Sequence, residues 1–242
     1  MIQREHQVAT DDPSAEQHVE RPSLPEHIQY VIIEGVIGAG KTTLAQMTSA
    51  RYGARLILEQ PDENPFLSKF YTDRPRWAFQ TQLSYLASRF RQQQELLKRD
   101  LFQQVMISDY AFDKDRIFAR INLTGDELQL YETLYGLMQP TTAVPDLVVY
   151  LQSSTDRLMA NIRKRARSYE AAMEESYIES LNEAYNNYFF HYTASPLLIV
   201  NATNLDFVAR PGDLEELMRQ IETLRHPGTT YYNPSPTQTP LL

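Results

Sequence analysis

A run of nine residues in the first quarter of the chain has the composition and order of a phosphate-binding loop. The run is Gly35, Val36, Ile37, Gly38, Ala39, Gly40, Lys41, Thr42 and Thr43, which matches the pattern G-x-x-x-x-G-K-[ST]. Glycines let the backbone N–H groups turn inward around phosphate oxygens, and a following helix adds partial positive charge. Lys41 can then reach the β- and γ-phosphates, and the Thr42 hydroxyl can bind Mg²⁺. The pattern predicts a site for a nucleoside triphosphate.

Two carboxylates follow strands that are predicted near this loop. Glu59 comes directly after the run 55–58, and Asp109 comes directly after the run 105–108. In an open parallel sheet, ligands bind beyond the carboxyl ends of the strands, so both side chains are expected near the phosphates. One carboxylate can take a proton from an attacking hydroxyl while the other holds a metal ion. The alternative, that both are solvated strand ends, stays open at this point.

The elements that would position these residues alternate along the chain. The strand candidates are residues 29–34, 55–58, 105–108, 147–151 and 197–200, and the helix candidates are residues 41–52, 74–99, 125–138, 154–165, 169–192 and 212–224. Strands that alternate with helices predict right-handed βαβ units and a covered parallel sheet. We therefore expect an α/β fold with a five-stranded parallel sheet and helices on both faces.

The two ends of the chain lack a periodic apolar pattern. Residues 1–28 are polar and contain no aromatic ring, and residues 226–242 contain four prolines. Neither composition can bury enough surface to offset the entropy lost on ordering the chain. The prediction is a disordered N-terminal tail at 1–28, one domain at 29–225 and a loose C-terminal tail at 226–242.

Composition limits the partners and the compartment. The 242 residues include 23 basic and 31 acidic side chains, a net charge of −8, so a nucleic-acid-binding surface is not expected. The absence of cysteine excludes disulfides and thiolate-bound metals. No apolar run approaches the ~20 residues of a membrane span, and the first residues lack the apolar segment of an export signal. We expect a cytoplasmic protein with no membrane partner.

Further motifs follow one another in an order that is typical of a single enzyme family. They are Glu59-Gln60-Pro61 with Glu63-Asn64-Pro65-Phe66, Tyr71, Trp77-Ala78-Phe79 with Gln82, Arg89, Pro145-Asp146 with Tyr150-Leu151, and Arg165-Ala166-Arg167 with Glu170. Over residues 29–210 their order and spacing resemble the deoxyribonucleoside kinases, which include deoxycytidine, deoxyguanosine and bacterial deoxyadenosine kinases. The resemblance implies the P-loop kinase fold with a short arginine-rich lid, ATP as phosphate donor, Mg²⁺ as cofactor, a nucleoside as acceptor and a homodimer.

The resemblance also implies which residues act on the reacting groups. Glu59 would be the general base on the nucleoside 5′-hydroxyl. Lys41, Arg165 and Arg167 would contact the phosphates, the two arginines by closing over them as charge develops. On composition alone, however, an arginine-rich helix end is usually a solvated face.

The nucleoside site implied by the resemblance draws on residues from several elements. Its members are Glu59, Phe66, Tyr71, Trp77, Gln82, Arg89, Phe112, Asp115 and Glu170. Tyr71 and Glu170 would hold the 3′-hydroxyl. Gln82 and Arg89 lie seven residues apart on a predicted helix, so they share a face and can bind a base edge, and Asp115 would pair with Arg89. For Trp77 and Phe112, packing in the core is an equally open alternative.

Two positions depart from the family pattern. The family usually carries an acid, an arginine and a serine or threonine after the third strand, where this chain has Asp109, Tyr110 and Ala111. The acid remains, so Thr42 and Asp109 would still bind the metal, and either Lys114 or Arg163 would replace the missing arginine. In the lid, the position of the first arginine is occupied by Asn161.

The resemblance favours a purine nucleoside as the acceptor. An Arg89–Asp115 pair resembles members that accept purine nucleosides or deoxycytidine, and residues 63–66 resemble the version found in bacterial members. Deoxyadenosine or deoxyguanosine is therefore the expected substrate.

Two other functions stay open. A nucleoside monophosphate kinase of the thymidylate type would need a basic cluster near Arg74, Arg76 and Arg89 for the acceptor phosphate. A non-catalytic nucleotide-binding regulator would fit the lost arginine, but the presence of both Glu59 and Asp109 argues against it.

Overall fold

A parallel sheet of six strands forms the centre of the computed structural model, which describes residues 22–98, 105–224 and 227–234. The spatial order is β2-β3-β1-β4-β5-β6. The strands are β1 (Tyr30–Gly35), β2 (Arg55–Ile57), β3 (Met106–Ser108), β4 (Leu147–Gln152), β5 (Leu197–Asn201) and β6 (Thr229–Tyr232). Every residue of β1 is buried, as expected for a central parallel strand that is covered on both faces.

The strands are connected by helices. The α-helices of the described residues are α1 (Lys41–Tyr52), α2 (Leu67–Thr72), α3 (Arg74–Lys98), α4 (Lys114–Asn122), α5 (Gly125–Met138), α6 (Thr155–Arg165), α7 (Glu175–Phe190) and α8 (Pro211–Thr223). Short 3-10 helices occupy Pro61–Glu63, Gln139–Thr141 and Ser168–Glu170. None of the described helices combines the length and apolar character that crossing a membrane requires. The helix α3 packs against both α2 and α4. The residues that follow β2 and β3 lie next to each other, since the Glu59 N–H donates to Asp109.

The C-terminal segment corrects two predictions, since the sheet has six strands instead of five and residues 229–232 are not loose. The sixth strand, β6, pairs in parallel with β5 from Leu197↔Thr229 to Val200↔Tyr232. Its residues are two threonines and two tyrosines, types that favour extended backbone. This four-residue signal was outweighed by the surrounding prolines, which mark the ends of the strand rather than its absence. Residues 225–226 and 235–242 lie outside the described part.

The N-terminal boundary at residue 28 is also placed too late. Leu24 and Ile28 belong to the buried core, and the Ile28 N–H donates to the Pro25 carbonyl at 2.8 Å. The two apolar side chains are isolated among polar residues, so they gave no periodic pattern. Residues 1–21 of the predicted tail lie outside the described residues.

Most predicted helices are confirmed, two of them with identical bounds at 41–52 and 125–138. Residue 99, the predicted end of α3, lies outside the described part. The predicted helix 169–192 is wrong at its start, since a 3-10 turn and a loop precede α7. The helices α2 and α4 were not predicted, because six and nine residues are too short to establish a helical period.

Candidate active site

The loop between β1 and α1 surrounds the amino end of α1. Gly38 and Gly40 have φ angles of +88° and +92°, which other residues rarely adopt. A Cβ at Gly38 would also lie 2.6 Å from the Leu158 carbonyl oxygen, so the close approach itself requires glycine. Lys41, the first residue of α1, donates from its ammonium to the Val36 carbonyl at 3.0 Å. Free N–H groups at a helix start, beside a lysine, can bind an anion.

The surroundings of Lys41 make its ammonium easier to deprotonate. Burial, together with the nearby Lys114 ammonium, lowers the pKa of Lys41 to about 8. The carboxylates of Glu34, Glu59 and Asp109 oppose this shift. A bound triphosphate would add further negative charge and thereby favour the protonated lysine.

Glu34 ties this loop to the segment that follows β3. Its side chain is fully buried in the sheet. One carboxylate oxygen accepts the Gly35 N–H at 2.9 Å, and the other accepts the Ala111 N–H at 2.8 Å. Burial raises the pKa of Glu34, while the two lysines nearby and both N–H donors counter that effect.

Asp109 connects Glu59, the other predicted carboxylate, to the glycine loop. One of its oxygens accepts the Thr42 hydroxyl at 2.5 Å, and the other accepts the Glu59 N–H at 2.8 Å. Asp109 itself is buried. The structure therefore brings Thr42, Glu59 and Asp109 together, and excludes the alternative that the two carboxylates are solvated strand ends.

The donor set at this point suits a hard cation. A carboxylate and a hydroxyl supply oxygen ligands, which Mg²⁺ prefers. The described residues contain no group of three or more acidic, histidine or cysteine side chains that could hold a metal by themselves. Such a site is typical of Mg²⁺ that is shared with substrate phosphates and water.

Glu59 is held by cations on both carboxylate oxygens. Oε1 accepts from the guanidinium of Arg89, with Nε at 3.0 Å, and Oε2 accepts from the Lys114 ammonium at 2.6 Å. Burial by itself would raise the pKa of Glu59, but the Lys114 and Arg89 charges hold it well below the usual range. The side chain is therefore ionised at neutral pH.

Arg89 forms the predicted ion pair with Asp115, and it also contacts Glu59. Asp115 is fully buried and accepts a second hydrogen bond from the Tyr131 hydroxyl at 2.6 Å. The Tyr85 ring lies 4.7 Å from the guanidinium. Arg89 thus connects Asp115 to Glu59, the carboxylate beside the glycine loop. Sequence spacing does not indicate this connection.

A cavity of about 480 Å³ opens beside these residues. The predicted site residues that line it are Ile37, Lys41, Thr42, Glu59, Tyr71, Gln82, Arg89, Asp109, Arg165, Arg167 and Glu170. Gln82 is buried, and its Oε1 has no hydrogen-bond partner. A donor on a bound ligand would satisfy this oxygen, whose burial otherwise costs free energy.

Four predicted substrate residues lie behind the cavity instead of lining it. Phe66 and Trp77 stack on each other with ring centroids 6.0 Å apart. Phe112 stacks on Tyr135 at 5.4 Å, and Asp115 reaches the cavity only through Arg89. The structure thus favours the packing alternative for Trp77 and Phe112 in this conformation.

Four aromatic residues that were not predicted line the cavity: Phe70, Tyr85, Phe118 and Tyr169. Tyr169 stacks on Tyr71 with centroids 6.0 Å apart and planes at 13°. The signal for Tyr85 was present, because it lies three residues after Gln82 and four before Arg89 on one helix face. These rings give the cavity flat apolar walls, to which a nucleoside base can stack.

The arginine-rich segment lies between two cavities. Arg165 and Arg167 line both the first cavity and a second one of about 520 Å³ on the other side of the glycine loop. Arg165 binds Glu170, and Arg167 donates to the Tyr169 hydroxyl at 2.9 Å. Asn161 donates to the Gly38 carbonyl at 2.8 Å, so it supports the loop where the family has an arginine.

The basic cluster that a monophosphate kinase would need is not assembled by the described residues. Arg74 pairs with Glu174 and lies 4.6 Å from the Tyr177 ring. Arg76 lies 5.4 Å from the Trp77 ring. Neither arginine lines the first cavity.

Comparison with known proteins decides the family. The deoxynucleoside kinase family model matches residues 31–226, most of the chain. This chain belongs to the deoxynucleoside kinase family. It is therefore a kinase, and the predicted resemblance is confirmed.

Individual relatives agree with this assignment. The chain is 34% identical to a deoxyguanosine kinase of Bacillus subtilis over 81% of this chain and 97% of that protein. It is 29% identical to a deoxyadenosine kinase of Lactobacillus acidophilus, covering 83% and 99% of the two chains. A solved deoxyadenosine kinase from M. mycoides with bound dCTP superposes with a TM-score of 0.70 at 26% identity, over 81% of this chain and all of the other.

Proposed function

We propose that this kinase transfers the γ-phosphate of ATP to the 5′-hydroxyl of a purine deoxyribonucleoside, giving the 5′-monophosphate. The observation that supports this most directly is the convergence of Glu59 and Asp109 on the glycine loop, beside a cavity lined by Gln82 and Arg89. Family membership supports the reaction class. The purine preference draws on the deoxyguanosine and deoxyadenosine kinases among the relatives.

The phosphate donor would bind at the glycine loop. Residues 35–43 supply backbone N–H groups and the Lys41 ammonium, which suits the β- and γ-phosphates of ATP. The Thr42 hydroxyl and the Asp109 carboxylate would hold Mg²⁺. Bound Mg²⁺ would neutralise charge on the phosphate oxygens during transfer. Of the two cavities that border the loop, the one of about 520 Å³ is available for the rest of the donor nucleotide.

Glu59 would accept the proton of the nucleoside 5′-hydroxyl. Its lowered pKa keeps it in the acceptor form throughout the neutral range. A carboxylate of low pKa is a weak base, but phosphoryl transfer through a loose transition state needs little proton removal before the phosphate moves. Accurate placement of the carboxylate therefore contributes more than its basicity.

The rest of the cavity would hold the sugar and the base. Tyr71 and Glu170 lie together at one end and suit the 3′-hydroxyl. Gln82 and Arg89 offer an amide and a guanidinium to a base edge, and Tyr85 offers a ring for stacking. Mixed donors and acceptors favour bases with a complementary edge.

Arg165 and Arg167 would form the lid. Because each lines both cavities, each is within reach of the space between donor and acceptor. Guanidinium groups at that point can stabilise charge on the transferring phosphoryl group.

The proposal includes a homodimer in the cytoplasm. The homodimer rests on the family resemblance, and the cytoplasmic location on the absence of cysteine. Light scattering after gel filtration tests the first, and fractionation of cells tests the second.

A coupled ADP-release assay tests the reaction itself. The purified full chain is given ATP and Mg²⁺ with each deoxyribonucleoside and each deoxyribonucleoside monophosphate in turn. Deoxyadenosine or deoxyguanosine is expected to give the highest kcat/KM. Faster turnover of a monophosphate would instead identify a monophosphate kinase, and nucleotide binding without ADP release would identify a regulator.

A further inference from the structure

The second cation on Glu59 has no role in the reaction described above. Lys114 is the first residue of α4, and its side chain is only 6% exposed. Its ammonium donates to Glu59 Oε2 at 2.6 Å, while Arg89 occupies Oε1. Neither carboxylate oxygen is therefore left to turn freely in the cavity.

The backbone fixes Lys114 relative to the glycine loop. The Lys114 N–H donates to the Ala111 carbonyl at 3.2 Å, and the Ala111 N–H donates in turn to Glu34. The ammonium lies 5.8 Å from the Phe118 ring, one helical turn further on. A lysine anchored in this way can define the direction of the carboxylate that it binds.

The other candidate for this position does not approach the carboxylate. The Arg163 side chain is 70% exposed, and its closest acidic partner is Glu175 at 3.9 Å. It lines neither of the two cavities next to the glycine loop. Of the two basic residues considered from the sequence, only Lys114 contacts Glu59.

We infer that Lys114 is a positioning residue, which aims the Glu59 carboxylate at the nucleoside 5′-hydroxyl and offsets its negative charge beside the triphosphate. This inference rests on the proposed role of Glu59. Arg89 cannot do both tasks alone, because its guanidinium is shared with the buried Asp115. Without Lys114, Oε2 would rotate or bind water, and Glu59 would repel the negative charge of the transferring phosphoryl group in the transition state.

The test compares three variants by steady-state kinetics. Lys114→Met keeps the side-chain length without charge and is expected to lower kcat by about 10- to 100-fold, with the KM for ATP changed by about twofold or less. Lys114→Arg restores a cation and should recover most of kcat. Arg120→Met removes an exposed charge from the same helix and should leave turnover unchanged.

A double-mutant cycle separates positioning from a general loss of structure. Glu59→Gln alone should lower kcat by ~10²–10⁴-fold, the usual contribution of a general base. If Lys114 acts through Glu59, then Lys114→Met in the Glu59→Gln background should change kcat by about twofold or less. An equal loss in both backgrounds, or failure of Lys114→Arg to recover kcat, would overturn the inference.

Two further outcomes are distinguishable. Normal wild-type turnover with an equally active Lys114→Met variant would overturn the role of Lys114 alone. Absence of wild-type turnover on any nucleoside would overturn the proposed function and this inference with it. If Lys114→Met does not fold, the cycle is run with Lys114→Gln, which retains a donor.

Discussion

The carboxylate of Glu170 accepts two hydrogen bonds from the guanidinium of Arg165, at 3.2 Å from Nε and 2.6 Å from Nη2. Glu170 is buried against the first cavity, whereas Arg165 lines both cavities. A sugar hydroxyl that binds Glu170 would compete with Arg165 for the same oxygens. Occupation of the nucleoside site would therefore release a cation toward the phosphates.

Replacing Glu170 tests the contact with the sugar hydroxyl on which this competition depends. Glu170→Gln is expected to raise the KM for a 2′-deoxynucleoside by about tenfold, because a carboxylate accepts a stronger hydrogen bond than an amide. A 2′,3′-dideoxynucleoside lacks the 3′-hydroxyl, so the same substitution should raise its KM by about twofold or less. Glu174→Gln, an exposed partner of Arg74, serves as the control. Equal losses on both substrates would contradict the proposed contact with the 3′-hydroxyl.

Removing the buried ion pair tests the choice of base. The double variant Arg89→Met with Asp115→Ala is expected to lower kcat/KM on deoxyadenosine and deoxyguanosine more than on thymidine. Removing both partners avoids leaving one buried charge unpaired, as Arg89→Met alone would. Because Arg89 also binds Glu59, kcat should fall for every nucleoside, so the measured quantity is the ranking of substrates. An unchanged ranking in a folded double variant would support a purely structural role for the pair.

The lowered pKa of Lys41 predicts how ATP binding depends on pH. With a pKa of about 8, the ammonium is present below that pH and is lost as the pH rises through it. In buffer with EDTA, the Kd for ATP should therefore rise above pH 8, by up to about tenfold per pH unit. Calorimetry from pH 7.5 to 9.5 measures this. Lys41→Arg stays charged and should show a flat profile, and a flat profile for the wild type would contradict the shift.

The strand β6 predicts which C-terminal truncations are tolerated. A chain that ends after residue 234 keeps the pairing of β6 with β5 and should unfold at the wild-type temperature. A chain that ends after residue 226 exposes the edge of β5 and should lose ~1–2 kcal/mol, a fall in Tm of about 2–8 °C. Thermal unfolding followed by circular dichroism distinguishes the two. Identical Tm values would mean that β6 contributes nothing to the folded domain.

The parts that sequence predicted best are those with strong local signals. The glycine loop is defined by nine consecutive residues, so its position and the start of α1 followed directly. Glu59 and Asp109 were placed correctly because parallel strands end at one edge of a sheet, a rule that needs no knowledge of packing.

The features of the site that the sequence did not predict depend on contacts between elements that are distant along the chain. Arg89 and Glu59 are thirty residues apart, and their ion pair forms only because the fold brings Arg89 of α3 next to the residue that follows β2 by two positions. Trp77 and Phe112 are aromatic residues near the site in sequence, yet neighbouring rings draw them into the packing instead of the cavity. Which face an aromatic side chain takes is decided by tertiary packing, and sequence spacing alone does not carry that information.

Glu34 has a consequence for engineering of this kinase. Its two oxygens hold the loop that starts at Gly35 and the segment that contains Ala111, so one side chain sets the position of both loops. A chimera that exchanged only one of them with a relative would disturb the spacing of the other and leave a buried carboxylate oxygen unpaired. Loop exchange between relatives should therefore succeed only when both segments and the glutamate beneath them are transferred together.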